Sequence, residues 1–550
     1  MRHFSAVEER SVDEARRLRV VIIGAGISGI LACIRFRQRI PNLDICVYEK
    51  NADIGGTWFE NRYPGCACDI PAHTYQATFE PNKEWSTFYA KAEEIHQYWK
   101  HVAEKYGCME HIKLRQQISE AVWNEEQSKW NLRIQDLASS STYTDRCDVV
   151  IQATGALNNW KWPNIPGLEE FKGKSMHSAS WDQTYDYKGK RVAVVGNGSS
   201  GIQIVPALLP EVTHIDHYAR SRTWISPSFG REQIEKRGRG LDNFTFTPED
   251  IETFKKDHQA YQKFRKDVEL ELQLYPWYHP YRAFNAARRT GENMKRRLAN
   301  KPGLIDELLP SFPPACRRLT PGPGYPEALT DDKVDLITSD IVKVDETGII
   351  TADGQHRPVD MLVCATGFDT TCREGVTLSE RREQTPETYL SIATDGFPNY
   401  FISLGPNAGL GEGNLLLLIE RALDYITECV HKMQRDNIRA MSVRREAVKR
   451  FTHYCDAYFA GTVFSSKCRS WYKGGTEDGR VTALWPGSSL HSMKVFANPQ
   501  WEDFEYCYVN DNVFGWLGDG WTENEKHNNI NVDYLDDNMV DFPRPMNIAK

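Results

Sequence analysis

The chain has 550 residues, too many for one ordinary core, so several domains are expected. Apolar residues make up 40% of it and charged residues 26%, a composition typical of a globular protein. The net charge is −8 and there is no long basic block, which argues against a nucleic-acid-binding protein.

The N-terminal residues predict neither secretion nor a membrane anchor. They are charged throughout and lack the apolar core of a secretory signal. The apolar run over residues 20–34 is interrupted by glycines and is too short to span a membrane. The 13 cysteines are scattered and odd in number, which favours reduced thiols and a cytoplasmic location.

The first motif is a dinucleotide loop. A buried strand is predicted directly before the sequence GAGISG, and a helical stretch follows it. In such a loop Gly24 makes the turn, Gly26 admits a pyrophosphate, and Gly29 lets the helix pack on the strand. The next strand ends in Glu49, an acid placed to bind a ribose hydroxyl. Gly55-Gly56-Thr57-Trp58 then favours FAD, because a second glycine pair admits a flat, bulky group; the alternative is a turn before a core aromatic.

A second dinucleotide loop follows. The strand over residues 191–195 leads into GNGSSG, residues 196–201, which repeats the fingerprint. The following strand ends in Arg220, with Arg222 just beyond, at the place where the first unit has Glu49. An arginine at this place suits a 2′-phosphate, so the second loop is predicted to bind NADPH. The alternative is a solvated strand end.

Two segments predict how the domains connect. Residues 148–155 and 360–368 each read as a strand followed by Ala-Thr-Gly, where a chain would cross between domains. The second predicts that the FAD domain is interrupted and resumes after the NADPH domain. The Pro-rich residues 162–167 are a predicted linker.

The remaining chain predicts a helical insertion and a C-terminal extension. Thr247-Pro248-Glu249-Asp250 is typical of a helix start, and apolar residues recur at helical spacing up to Val268. A second helix is predicted over about residues 281–300. The insertion either caps a substrate pocket or is a solvated helical pair. After residue 441 the chain is rich in tryptophan, most of it expected to pack rather than react.

A protein with two such dinucleotides can pass electrons to a disulfide or to oxygen. The first requires a cysteine pair, and Cys66-Ala67-Cys68 lies downstream of the first loop, although its spacing is not C-x-x-C. The second requires fixed positive charge in a site screened from water. Arg62 and Arg317-Arg318 are candidates, and Asp69 is placed to orient one guanidinium group. The alternative for each arginine is a surface or interdomain ion pair.

The segment between the two loops carries a family resemblance. Residues 171–182 read FKGKSMHSASWD and resemble the Baeyer–Villiger monooxygenase fingerprint, F-x-G-x-x-x-H-x-x-x-W followed by Pro or Asp. Its fixed positions are Phe171, Gly173, His177 and Trp181. The resemblance covers nearly the whole chain and is similar to the fungal branch associated with secondary metabolism. It includes residues 55–58, 61–65, 68–69, 198–203, 396–399 and Trp471.

The resemblance implies roles for individual residues. Arg318 matches the family's catalytic arginine, and Asp69 matches the acid that holds it. Arg220 matches a contact to the NADPH 2′-phosphate, and Trp471 matches a tryptophan that contacts NADP. Arg317 stands where the family usually has a lysine that binds the same phosphate, which keeps the charge and changes its geometry.

Other matched positions complete the predicted site. His177 and Trp181 are expected to couple domain movement rather than take part in the chemical step. Ala67 departs from the arginine often found before Cys-Asp, which changes the expected nicotinamide contacts. No metal site is predicted. The predicted cofactor-binding residues are Gly24, Gly26, Ser28, Gly29, Glu49, Gly56, Thr57, Trp58, Asp69, Tyr75, Asn197, Gly198, Ser199, Ser200, Gly201, Ile202, Gln203, Arg220, Ser221, Arg317, Arg318 and Trp471.

The reaction implied by the resemblance is oxygen insertion. NADPH reduces FAD, oxygen adds to the flavin C4a, and the resulting peroxide attacks a ketone to give an ester or lactone, expected on a polyketide or terpenoid ketone. Three alternatives remain: a hydroxylase or a sulfide or amine oxygenase that uses the same C4a-peroxyflavin, a disulfide reductase, and a flavin-binding scaffold without turnover.

The predicted fold is α/β, with two Rossmann-like dinucleotide-binding domains, the FAD domain interrupted by the NADPH domain, and a helical insertion. The predicted boundaries are 1–160 for the first part of the FAD domain, 161–340 for the NADPH domain with the insertion at about 240–310, 341–440 for the second part of the FAD domain, and 441–550 for a C-terminal extension that packs on the core.

Overall fold

The structure is a computed structural model. It describes residues 7–238, 242–273, 280–369, 377–378, 386–411, 413–510, 512–536 and 538–539.

The strands of these ranges are β1 Leu18–Ile23, β2 Leu43–Tyr48, β3 Ile112–Lys113, β4 Gln116–Asn124, β5 Lys129–Asp136, β6 Thr142–Cys147, β7 Val149–Gln152, β8 Lys174–His177, β9 Arg191–Val195, β10 His214–Tyr218, β11 Ile225–Ser226, β12 Thr320–Pro321, β13 Val334–Ile337, β14 Ile341–Val344, β15 Gly348–Thr351, β16 His356–Pro358, β17 Met361–Cys364, β18 Thr377–Leu378, β19 Tyr400–Ile402, β20 Ile438–Val443 and β21 Phe504–Tyr508.

The α-helices are α1 Ile27–Arg39, α2 Thr57–Glu60, α3 Ala92–Lys105, α4 Ser199–Leu208, α5 Arg231–Arg237, α6 Pro248–Lys256, α7 His258–Gln273, α8 Pro280–Arg297, α9 Leu304–Leu308, α10 Tyr325–Leu329, α11 Leu415–Arg435, α12 Arg445–Ala460, α13 Ser489–Phe496 and α14 Glu523–Lys526.

The first sheet is parallel, in the order β19–β7–β1–β2–β3. Its centre is β1, whose sequence LRVVII is almost entirely buried, as expected for a strand covered on both faces. In register, Ile23 lies opposite both Tyr48 and Gln152, so the loops that follow these three strands meet at one edge. That edge is where a nucleotide binds in an open α/β sheet.

The second sheet is also parallel, in the order β13–β10–β9–β17–β8. β19 of the first sheet follows all of these strands in the chain, so the first unit is interrupted by the second. The predicted α/β fold with two Rossmann-like units is confirmed. β17 lies between β9 and β8, so the second sheet extends to Cys364, beyond residue 340, where the sequence places the boundary. An antiparallel meander, β14–β15–β16, precedes it.

The predicted helical insertion begins as expected. Thr247 caps α6: its hydroxyl accepts a hydrogen bond from Asp250 N at 3.1 Å, and Pro248 occupies the first turn. The buried aromatics of α6 and α7, among them Phe254, Tyr261 and Phe264, pack in the same core as the first sheet. The insertion therefore joins the two units instead of standing apart in solvent.

The C-terminal region completes the first unit. Asn414 caps α11, accepting from Leu416 N at 3.0 Å, and α11 packs its apolar face on α1 and α13. β20 and β21 form an antiparallel pair beside them. Within the described ranges, no helix combines the length and the hydropathy needed to cross a bilayer.

Candidate active site

A cavity of about 720 Å³ opens at the nucleotide edge of the first sheet. This volume is typical of a small-molecule or cofactor site. It brings together residues of the first loop, the segment after it, and the C-terminal region. The predicted site residues that line it are Gly24, Gly26, Ser28, Glu49, Gly56, Thr57, Trp58, Tyr75 and Trp471.

The first loop has the close packing that its glycines predict. Gly24 has φ +101°, a left-handed conformation that side chains rarely adopt. A Cβ on Gly29 would lie 1.9 Å from Gly24 O, so α1 lies directly against the turn. A Cβ on Gly56 would lie 3.0 Å from Gly26 Cα, so this glycine lets the second segment approach the loop. Backbone therefore lines the cavity where a pyrophosphate would bind.

Glu49 is buried at the end of β2, with its carboxylate bound to backbone. One oxygen accepts from Ala25 N at 2.7 Å and the other from Asn51 N at 2.8 Å. Burial raises the pKa of Glu49, and the two N–H donors oppose this rise. The carboxylate is thereby held at the cavity wall, where the sequence predicts a ribose contact.

Part of the cavity wall is aromatic. Trp58 Nε1 donates to the Tyr75 hydroxyl at 3.3 Å, and the two rings meet edge to face at 5.6 Å. Ser28 in α1 accepts a hydrogen bond from Ser403 Oγ at 2.9 Å, which ties the helix to the loop after β19. Both contacts fix side chains that line the cavity.

The second loop repeats the geometry of the first. Gly196 has φ +112°, and a Cβ on Gly201 would lie 1.9 Å from Gly196 O, the same distance as in the first loop. Asn197 Nδ2 donates to Ser221 O at 2.6 Å, joining the loop to the end of β10. The Gly198 Cα has open space around it, and Ser199 Oγ lies 3.2 Å from Thr320 Oγ1. Ser200 follows in α4, and Ile202 is buried.

Gln203 connects this loop to the segment that carries Asp69. Its Nε2 donates to Ala67 O at 2.9 Å, and its Oε1 accepts from the Tyr63 hydroxyl at 2.9 Å. A Cβ on Gly65 would lie 2.5 Å from Gln203 O, so only glycine fits this contact. Tyr63, Gly65 and Ala67 therefore all contact Gln203 of α4.

Asp69 and Arg318 form an ion pair. Arg318 Nη2 lies 2.6 Å from Asp69 Oδ1, and the side chains are 39% and 15% exposed. The Asp69 carboxylate is the largest cause that raises the pKa of Arg318, so the guanidinium stays charged. Arg62 instead donates to Phe59 O at 2.7 Å and lies 4.2 Å above that ring, on the exposed surface. Of the candidate arginines, Asp69 thus orients Arg318.

Arg317 points the other way, towards the second loop. Its Nη1 donates to Ser221 Oγ at 3.1 Å, and its guanidinium lies 4.7 Å from the Phe312 ring centre. Burial lowers the pKa of Arg317, and the positive charges of Arg220 and Arg469 lower it further. Its Nε is buried without a hydrogen-bond partner among the described residues. Three crowded cations and an orphaned donor fit an anionic group such as a phosphate.

The Cys66 and Cys68 thiols do not fit a redox pair. Both are free and buried, and burial raises the pKa of each, that of Cys66 to about 11. A thiol reacts as the thiolate, which such burial disfavours. This geometry argues against the disulfide-reductase alternative.

A disulfide joins Cys316 and Cys468, with 6.5 Å between their Cα atoms. The prediction of reduced cysteines is wrong for this pair. The two are separated by 152 residues, so no local spacing in the sequence signals them. The bond connects the segment of Arg317 and Arg318 to the segment of Trp471.

The fingerprint residues lie at the joint between the two sheets. A Cβ on Gly173 would lie 2.5 Å from Asp360 O and from the Phe171 ring. His177, in β8, is fully buried and stacks on Trp160 with 4.6 Å between ring centres. Its Nε2 lies 3.3 Å from Thr366 Oγ1 in the Ala-Thr-Gly turn after β17. Trp181 is buried against Tyr187.

The burial of His177 predicts a pH-dependent contribution to stability. Burial lowers its pKa from 6.5 to about 4. The neutral ring is favoured in the fold, so the contribution is present above the unfolded pKa and is lost as the pH falls towards 4. We expect the stability difference between wild type and His177→Phe to shrink by about 3 kcal/mol over this window, measured by urea unfolding. A pH-independent difference would contradict this, and His356→Phe, at an exposed histidine, is the control.

Several lining residues were not predicted from the sequence. They come from the loops after β7 and β19 and from the C-terminal segment, and are Thr154, Gly155, Leu404, Gly405, Pro406, Ala408, Gly409, Thr482 and Ala483. Among the described residues of the helical insertion, none lines the cavity.

Comparison with known proteins identifies the family. Residues 17–230 match the model of the flavin-binding monooxygenase-like family. The FAD-binding monooxygenase tazF of Aspergillus terreus is 39% identical over 520 residues, covering 92% of each chain. A Baeyer–Villiger monooxygenase of Pseudomonas aeruginosa is 33% identical, covering 86% of this chain and 88% of that one. The crystal structure of cyclohexanone monooxygenase from Rhodococcus sp. Phi1 bound to NADP⁺ is 25% identical with a TM-score of 0.76, covering 90% of this chain and 100% of that one.

The chain therefore belongs to the flavin-binding monooxygenase-like family, and the predicted family resemblance is confirmed. It is a flavin-dependent monooxygenase whose relatives include enzymes named Baeyer–Villiger monooxygenases. The roles of the individual residues stay predictions.

Proposed function

We propose that this protein is an FAD- and NADPH-dependent monooxygenase that inserts one atom of O₂ next to a ketone carbonyl, giving an ester or lactone. The Asp69–Arg318 ion pair carries this proposal, because it fixes a charged guanidinium beside the segment that contacts Gln203 of the second loop. A polyketide or terpenoid ketone is the proposed substrate. The likeness to fungal FAD-binding monooxygenases and to Baeyer–Villiger monooxygenases supports the reaction class.

The chain's residues fit the two cofactors. Glycine backbone at the first loop leaves space for a pyrophosphate, and the aromatic wall of Trp58 and Tyr75 suits a flat ring system. We therefore propose that FAD binds in this cavity, which Glu49 lines, with Glu49 at the FAD ribose. We propose that NADPH binds at the second loop, because Arg220 stands where the first unit has Glu49 and its charge acts on Arg317.

The bound flavin supplies the electrons and the position at which O₂ is activated. The protein residues orient the reactants, keep water out of the site and balance the developing charge. Arg318 would stabilise the negative charge that develops on oxygen during transfer, in a position fixed by Asp69. Trp471, on the C-terminal segment, lines the cavity and excludes water from it.

Oxygen incorporation into defined substrates tests the proposal. The purified flavoprotein is mixed with NADPH and ¹⁸O₂ and offered cyclic ketones beside sulfides and tertiary amines. We expect labelled lactone from the ketones, with one ¹⁸O per product by mass spectrometry. Labelled sulfoxide or N-oxide without lactone would instead favour the heteroatom oxygenase. NADPH oxidation without a labelled organic product would reject both reactions for these substrates.

A further inference from the structure

The C-terminal segment of residues 466–477 is linked both to the cavity of the first loop and to the arginines beside the second loop. It contributes Trp471 to the cavity wall. Two residues earlier it carries Arg469, whose charge acts on Arg317 in the arginine group beside the second loop. One short segment therefore lines the cavity and also places a positive charge near Arg317.

This segment is held in one conformation by its own hydrogen bonds. The buried Lys473 donates from Nζ to Ser466 O at 2.7 Å and also to Glu477 O. Arg469 Nε donates to Gly475 O at 2.8 Å, and Gly475 N donates to Ser470 O at 2.9 Å. The Arg469 side chain is thus directed by contacts within the segment before any ligand binds.

The disulfide fixes the segment to the arginines. Cys468 precedes Arg469, and Cys316 precedes Arg317, so the bond joins the residues immediately before the two cations. Arg317 is itself bonded to Ser221 at the end of β10. Two like charges are therefore kept near each other by a covalent bond and by hydrogen bonds. That arrangement is unfavourable alone and becomes favourable when an anion lies between them.

We propose that Arg469 is a third cation of the coenzyme's 2′-phosphate site and a specificity-determining residue for NADPH over NADH. It acts together with Arg220 and Arg317, and it is supplied by the C-terminal segment. The inference rests on the proposed placement of NADPH on the second loop. A dianionic phosphate accepts several guanidinium hydrogen bonds, so a third arginine adds affinity without displacing the other two.

Direct binding of nucleotide fragments tests this without turnover. Isothermal titration of the flavoprotein compares 2′,5′-ADP, which has the 2′-phosphate, with 5′-ADP, which lacks it. We expect Arg469→Gln to weaken 2′,5′-ADP binding about tenfold and to leave 5′-ADP binding unchanged. Arg469→Lys should retain part of the affinity, and the salt dependence of 2′,5′-ADP binding should be reduced in Arg469→Gln.

The matched control is Arg450→Gln, which removes the same charge from an exposed ion pair with Glu446 on α12. It should bind both fragments like wild type. Flavin content and melting temperature show whether each variant is folded. If Arg469→Gln binds 2′,5′-ADP with wild-type affinity while Arg220→Gln binds it more weakly, the role of Arg469 is overturned. The proposed NADPH site then stands without it. A wild-type protein that does not discriminate between the fragments would overturn the NADPH site itself.

Discussion

Replacing Arg318 with alanine will lower oxygen insertion by a factor of about 10² to 10³. The ion pair with Asp69 fixes the Arg318 guanidinium and keeps it charged. A fixed positive group lowers the activation barrier most when negative charge develops in the transition state. Its removal should therefore slow oxygen transfer while changing cofactor affinity little. The measurement is product formed per NADPH consumed, with cyclohexanone as a simple ketone.

Three variants separate this role from general damage to the fold. Arg318→Lys keeps the charge but loses the planar contact to Asp69, so its activity should be intermediate. Asp69→Asn should also lower oxygen insertion, because the ion pair that holds the Arg318 guanidinium is lost. Arg62→Ala is the matched control, since Arg62 lies on the exposed surface. If Arg318→Ala forms as much product per NADPH as wild type, the proposed role of Arg318 in the reaction is wrong.

Substitutions at two equivalent glycines will show which loop binds which cofactor. A Cβ on Gly29 would lie 1.9 Å from Gly24 O, and one on Gly201 would lie 1.9 Å from Gly196 O. A backbone oxygen cannot move away as a flexible side chain can, so each loop must distort. Gly29→Ala should be purified without FAD. Gly201→Ala should be yellow, with NADPH binding weakened about tenfold or more.

The measurements are flavin absorbance after gel filtration and the rate of flavin bleaching by NADPH without oxygen. Gly303→Ala is the control, because a Cβ there meets no atom within 4 Å. Melting temperatures of all three variants show whether the fold is retained. Loss of flavin from Gly201→Ala, with flavin retained by Gly29→Ala, would reverse the proposed placement of the two cofactors.

The features predicted from the sequence are the local ones. The two glycine loops, the acid Glu49 and the capped start of α6 each depend on residues a few positions apart, so their pattern appears in the sequence. The Asp69–Arg318 pair joins residues 249 positions apart. The residue types alone offered several arginines as partners of Asp69, and the family resemblance singled out Arg318.

The features that sequence analysis missed are non-local. The Cys316–Cys468 bond joins residues separated by 152 positions, and buried cysteines elsewhere in the chain obscure it. Arg469 follows one of these cysteines in an exposed loop, where an arginine alone has no specific meaning. The position of β17 in the second sheet, between β9 and β8, was missed as well, because a buried strand run does not reveal its neighbours.

The packing of the helical insertion affects how the whole chain unfolds. Phe254 and Tyr261 belong by sequence to the second unit, but they are buried in the core of the first, with the fully buried Trp85 in the same cluster. Unfolding either unit alone would expose this aromatic surface to water. We therefore expect the two dinucleotide units to unfold together, and movement between them to be limited to rearrangements that keep this cluster buried.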